Sequence, residues 1–123
     1  LEVLGLERCV QFLRPGGRLG IVLPEGIVAN RNARYVREWL ESQCKIRAIV
    51  SLPVETFTPF GANIKTSILF ARKWRKNESK KDYSIFLSRV DNVGYDATGR
   101  KREGEELTKV ADELIAFINR EGW

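Results

Sequence analysis

Residues 18–52 read RLGIVLPEGIVANRNARYVREWLESQCKIRAIVSL, and the periodicity of this stretch sets the fold class. Arg18 to Leu23 is a short apolar run of strand type, expected to be buried on both faces. Pro24-Glu25-Gly26 breaks it. From about Asn32, a residue suited to an N-cap, to about Gln43, Ala33, Val36 and Leu40 recur at helical spacing. Cys44 continues that stripe and Trp39 lies beside it. Lys45 to Leu52 is a second strand, stopped by Pro53. Strand, helix and strand in one short stretch make a βαβ unit, which predicts two parallel strands and a right-handed crossover.

Outward from this unit, residues 2–14 place Leu6, Cys9, Val10 and Leu13 on one helical face, and Pro15-Gly16-Gly17 ends that helix. Downstream, residues 53–64 form a loop too short for a helical crossover, so the strand Lys65 to Lys73 is expected to run antiparallel to a neighbour. Tyr83 to Val90 is a fourth strand, with Ser84, Phe86 and Ser88 opposite Ile85 and Leu87. Asp91 to Glu106 reads as a polar surface loop. The last helix, about 105–119, carries Leu107, Val110, Ala111, Leu114, Ile115 and Ile118 as its apolar stripe. The fold class is therefore α/β, a mixed sheet in which a parallel βαβ unit is followed by antiparallel strands.

Composition narrows the chemistry. The chain has 123 residues, no histidine and no methionine. Without histidine, Ser-His and Cys-His nucleophile pairs and imidazole metal ligands are excluded. Without an initiator methionine at Leu1, the chain is expected to be a piece of a longer protein. No apolar run reaches the roughly 20 residues of a membrane span, and nothing reads as a signal peptide. Cys9 and Cys44 form no C-x-x-C pair and read as buried thiols of a cytoplasmic protein. The net charge of +5 is uneven: residues 61–81 carry seven basic side chains and one acidic. That block suits either an anionic partner or a solvated linker.

In open α/β sheets, ligands gather outside the carboxyl ends of the parallel strands. Two loops form that edge: Pro24 to Arg31, with Glu25, Asn30 and Arg31, and Pro53 to Asn63, with Glu55, Phe57, Phe60 and Asn63. Two aromatics beside the start of a basic strand could stack a base, or could pack down into the core. Other motifs fail on spacing. Gly61 to Ser67 lacks the glycine before Lys65 that a phosphate-binding loop needs, and a strand follows it. Asp91, Asp96 and Gly99 have no suitably placed terminal glutamate for a calcium loop. No metal site is expected.

Residues 12–74 contain three ordered blocks: P-G-G-R-L-G-I-V-L-P-E-G, I-V-S-L-P, and F-T-P-F-G-A-N-I-K-T-S-I-L-F. In this order they resemble the N6-adenine DNA methylase family, in particular the modification (M) subunit of type I restriction–modification systems. The resemblance implies a partial Rossmann-like methyltransferase fold. It implies transfer of methyl from S-adenosylmethionine to a flipped adenine in double-stranded DNA. It also implies specificity and restriction subunits as partners. The family's Gly-rich cofactor loop and its Asn/Asp-Pro-Pro-Tyr/Phe motif have no counterpart here, since prolines 15, 24, 53 and 59 include no adjacent pair. No catalytic or cofactor-binding residue is therefore expected in this piece, which alone should be inactive and bind no cofactor. Residues 1–90 would be the C-terminal portion of the catalytic domain, and 91–123 a loop and amphipathic helix of the same domain.

By the resemblance, Phe57, and next Phe60, match the aromatic that stacks on the flipped base, while Asn30, Arg31 and Lys65 are candidates for DNA backbone contact. An open sheet edge also allows a homo-oligomer. The alternative is a non-catalytic nucleic-acid- or subunit-binding module that keeps half of a methyltransferase sheet.

Overall fold

The βαβ unit forms, with another strand inserted between its two strands. The structure is a computed structural model that describes residues 2–123; Leu1, expected not to be a genetic start, lies outside the described residues. A helix α1 (Glu2–Phe12) leads into β1 (Arg18–Pro24). A one-turn helix α2 (Glu25–Ala29) and a 3-10 turn (Arg31–Ala33) precede α3 (Arg34–Gln43). Then come β2 (Cys44–Ser51), two 3-10 turns (Val54–Thr56 and Thr58–Phe60), β3 (Thr66–Lys73), β4 (Phe86–Arg89) and α4 (Leu107–Glu121).

The strand order is β1-β3-β2-β4. β3 pairs antiparallel with both β1 and β2, so those two strands run parallel without touching. β4 pairs parallel with β2. The sheet is mixed, as the sequence implied, but its one parallel ladder is β2 with β4. Burial on both faces, expected for the first strand, does not occur. β1 is an edge strand, only Leu23 of it is buried, and Val22 is 47% exposed.

Helices cover both faces of the sheet. On one, α1 and α3 place Leu6, Val10, Val36 and Leu40 against Leu23, Ile46, Leu69 and Ala71. Leu6 and Val10 are one helical turn apart on one stripe, and each is worth about 2 kcal/mol when fully buried. On the other face, Val50, Leu52, Val90, Val93 and Val110 form a second core, with Phe57, Ile68, Phe70, Phe86 and Tyr95 packed against it. The expected α4 stripe is rotated. Val110 and Phe117 are the buried residues, whereas Ile115 is 57% exposed.

Strand β2 serves both cores, and its pairing with β3 slips between Ile46 and Ala48. At this bulge, the alternation resets: Ile46 and Ile49 meet the first core, Val50 the second. The inserted residue is Arg47, which turns toward α4 and is 1% exposed. Its guanidinium donates to the Ser84 and Gly122 carbonyls, each at 2.9 Å, and lies 5.1 Å from the Phe117 ring centre. Arg72 on β3 donates to the Trp123 carbonyl at 2.9 Å. The end of α4 is thus held to the sheet by two buried guanidiniums.

The basic block of residues 61–81 has a structural use. Lys73 Nζ reaches the Val10 and Leu13 carbonyls at 3.3 and 3.1 Å, closing the end of α1. Trp74 donates to the Glu41 and Gln43 carbonyls, and Lys80 to that of Ser42, closing the end of α3. Cations at a helix carboxyl end satisfy orphan carbonyls and complement the macrodipole. Asn32, expected as the cap of α3, lies inside the preceding 3-10 turn: that turn is capped by Asn30, whose Oδ1 accepts from the Asn32 backbone at 3.1 Å, and α3 itself starts after Ala33 without a side-chain cap.

Candidate nucleic-acid interface

The carboxyl ends of β1, β2 and β4 meet the start of β3 along one edge. Backbone hydrogen bonds stitch that edge: Glu25 to the Lys65 carbonyl (3.0 Å), Leu52 to that of Thr66 (2.9 Å), and Val90 to that of Ser51 (2.8 Å). Both loops singled out in the sequence leave from here.

Lys65 sits between them. Its Nζ donates to Ser51 Oγ at 3.0 Å and lies 3.7 Å from Glu25 Oε1, so it ties the ends of β1 and β2 together across β3. The side chain is still 36% exposed, and an ammonium has three donors, of which Ser51 takes one. Asn30 and Arg31 are exposed on the neighbouring turn. The carbonyl of Asn30 accepts from Arg37 at 2.7 Å, which fixes the turn against α3.

The two aromatics divide their roles. Phe57 is half-buried against the second core. Its carbonyl accepts from Phe60 (3.0 Å) and Ala62 (3.1 Å), winding the loop into a tight 3-10 turn. Phe60 points outward and is 77% exposed. Gly61 ends the turn at φ 92°, a left-handed conformation that favours glycine. Glu55 is half-buried and Asn63 exposed.

A third partner, missed in the sequence, is Tyr95. Its ring stands edge-on to Phe60, with centroids 6.5 Å apart and planes at 90°. Its hydroxyl donates to the Thr56 carbonyl. Tyr95 comes from residues 91–106, read as a surface loop, which fold into a small hairpin. Tyr95 bridges to Lys101, and Asn92 and Val93 are buried. The V-G-Y-D run was visible in the sequence, but its contact with Thr56 spans 39 residues.

Among the described residues, no group of histidine, cysteine, aspartate or glutamate could hold a metal ion. A cavity of about 100 Å³ lies between the helices and the sheet, lined by Leu6, Leu23, Ile27, Val36, Leu69 and other apolar groups, with Arg37 and Glu41 at its rim. Ligand sites run from about 300 Å³, so this cavity does not fit S-adenosylmethionine. A groove of about 360 Å³ beside Pro24, Asn30 and Tyr35 is open, and Glu2 is its one charged lining residue. Neither encloses such a cofactor. No described helix is long and apolar enough to cross a membrane.

The sequence profile of the N-6 DNA methylases matches residues 5–123. The chain belongs to the N-6 DNA methylase family. Solved structures agree in fold. A chain of a type I restriction–modification system, solved in a study of complex assembly and conformational transition, superposes with a TM-score of 0.70 at 25% identity, over 98% of this chain and 25% of that one. A modification subunit from Vibrio vulnificus, described as part of a type I restriction enzyme, gives 0.68 at 21% identity, over 97% and 25%. A protein from Listeria monocytogenes, described as a class I S-adenosylmethionine-dependent methyltransferase, gives 0.64 at 20%, over 98% and 32%. This N-6 DNA methylase chain therefore spans between a quarter and a third of the solved chains it matches. No curated protein sequence matches it.

Proposed function

We propose that this chain supplies the C-terminal part of the catalytic domain of a site-specific DNA adenine-N6 methyltransferase, the modification subunit of a type I restriction–modification system. In this reading, the enzyme works in the cytoplasm and transfers methyl from S-adenosylmethionine to an adenine flipped out of double-stranded DNA. Specificity and restriction subunits complete the complex. The cofactor and the catalytic amide belong to parts of the enzyme outside these residues. The chain contributes one wall of the base pocket: Phe60 as the stacking face on its Phe57 foundation, with Lys65, Asn30 and Arg31 toward the phosphates. The observation that carries this reading is the exposed Phe60, on the loop that leaves the carboxyl edge of a methylase sheet where Lys65 joins the ends of β1 and β2. An exposed aromatic face can replace the stacking a flipped base loses.

The test is methyl transfer from labelled S-adenosylmethionine to unmethylated phage DNA by the intact methyltransferase. Phe60→Ala should lower kcat/KM about tenfold or more, the value of one stacked base. An unchanged rate would remove the wall assignment. A second reading, a non-catalytic nucleic-acid- or subunit-binding module, draws on the absence of an enclosed cofactor site among the described residues. Calorimetric titration of the isolated chain separates one point: micromolar S-adenosylmethionine binding would contradict the assignment of the cofactor site to other residues.

A further inference from the structure

The loop carrying Phe60 is built from two consecutive 3-10 turns, Val54–Thr56 and Thr58–Phe60. Short 3-10 turns have poor hydrogen-bond geometry and little stability of their own. An outward aromatic on such a turn needs an external support to keep one direction. Residues 91–106 supply it at three points. The Tyr95 hydroxyl takes the Thr56 carbonyl at the end of the first turn. The Tyr95 ring meets Phe60 edge-on at the end of the second. Between them, Gly99 lies near Pro59, with room for an ordinary van der Waals contact: a Cβ added there would be 3.5 Å from the Pro59 Cβ.

The support is itself rigid. The Asp96 carboxylate accepts from Thr98 Oγ1 (2.6 Å), Thr98 N (2.9 Å) and Arg100 N (3.0 Å). The backbone closes the hairpin from Asp96 to Arg100 and from Arg102 to Gly94, each at 2.9 Å. Asn92 anchors its base, donating to the Glu103 carbonyl at 2.7 Å and accepting from Gly94 at 2.9 Å. Such a network locks the backbone on either side of Tyr95 before any ligand arrives.

We propose that Tyr95 is a positioning residue: it aims Phe60 at the base pocket, so that the hairpin 91–106 pre-organises the stacking wall of the methyltransferase. The inference rests on the reading of Phe60 as that wall. Aromatic pairs prefer this edge-on arrangement, and a fixed ring loses less freedom when a base stacks on it.

The experiment is a double-mutant cycle in the intact methyltransferase with unmethylated phage DNA as methyl acceptor, reading KM for DNA and kcat separately. Tyr95→Ala should impair kcat/KM about tenfold, matching Phe60→Ala, and should add less than about twofold on top of Phe60→Ala. Tyr95→Phe keeps the ring and loses the tether, and should fall between wild type and Tyr95→Ala. In the 123-residue chain, the Phe60 ring-proton shifts should move on Tyr95→Phe while the fold stays intact by circular dichroism. A full additional loss from Tyr95→Ala in the Phe60→Ala background, or unmoved Phe60 shifts, overturns the proposal. If Phe60→Ala impairs transfer and Tyr95→Ala does not, the brace falls and the wall reading stands. If Phe60→Ala has no effect, the wall reading falls and takes the brace with it.

Discussion

Arg72, 1% exposed on β3, grips the Glu78 carboxylate through two hydrogen bonds of 2.8 and 2.6 Å. The same carboxylate accepts from the Arg75 backbone at 2.8 Å, so the turn after β3 folds around it. A guanidinium buried without this partner would cost several kcal/mol.

The grip has a pH signature. Hydrogen bonding from Arg72, helped by the Arg75 backbone, holds the Glu78 carboxyl at about 2, against an ordinary 4.5. A depressed folded-state value stabilises fully above pH 4.5, and that contribution is lost as pH falls toward 2. Urea midpoints measured across this window should drop for the wild type. Glu78→Gln should start about 3 kcal/mol lower and lose much of the slope.

Core burial predicts a contrast between two leucines. Leu6 is 1% exposed and Leu87 is 70% exposed. Leu6→Ala should destabilise by about 3 kcal/mol, while Leu87→Ala should stay within about 0.5 kcal/mol of wild type. Thermal or urea unfolding of both variants checks this.

The two thiols should separate kinetically. Burial pushes the Cys44 thiol up, and the nearby Lys73 and Arg72 offset this only in part. Cys9 is half-buried. A disulfide reagent added to the native chain should modify Cys9 first and reach Cys44 only on unfolding, with mass spectrometry assigning the sites. Equal rates would contradict the burial of Cys44.

If Lys65 faces a phosphate, its removal should change the salt dependence of DNA binding. In the intact methyltransferase, Lys65→Ala should reduce the slope of log affinity against log salt by about one, across all DNA sequences tested. An unchanged slope would confine Lys65 to its link between Ser51 and Glu25.

Elements governed by local periodicity were legible in the sequence. The helix around Leu6 and Val10, and the strands ended by Pro24 and Pro53, follow from spacing and breakers within one segment. The position of β3 between β1 and β2 was not, because strand order depends on pairings far apart in the chain. The bulge at Arg47 was also hidden: residues 45–52 alternate plausibly without it, and only the finished sheet decides which residue is extra. That slip buries Arg47, and α4 presents Phe117 to its guanidinium while Ile115 stays exposed. At the candidate interface, both loops could be read, but the sequence put Phe57 ahead of Phe60, whereas the structure packs Phe57 against the second core and leaves Phe60 exposed. Tyr95 could not be read, since nothing local marks a phenol whose partner is a backbone carbonyl in another loop.

The hold that Arg47 and Arg72 keep on the Gly122 and Trp123 carbonyls joins residues 75 and 51 positions apart. Arg72 already has Glu78 as a partner, but the Arg47 guanidinium lacks its Gly122 acceptor until α4 lies in place, and leaving water without it is costly. Sheet closure and helix docking should therefore form one cooperative step, without a stable intermediate that has the sheet buried and the helix loose.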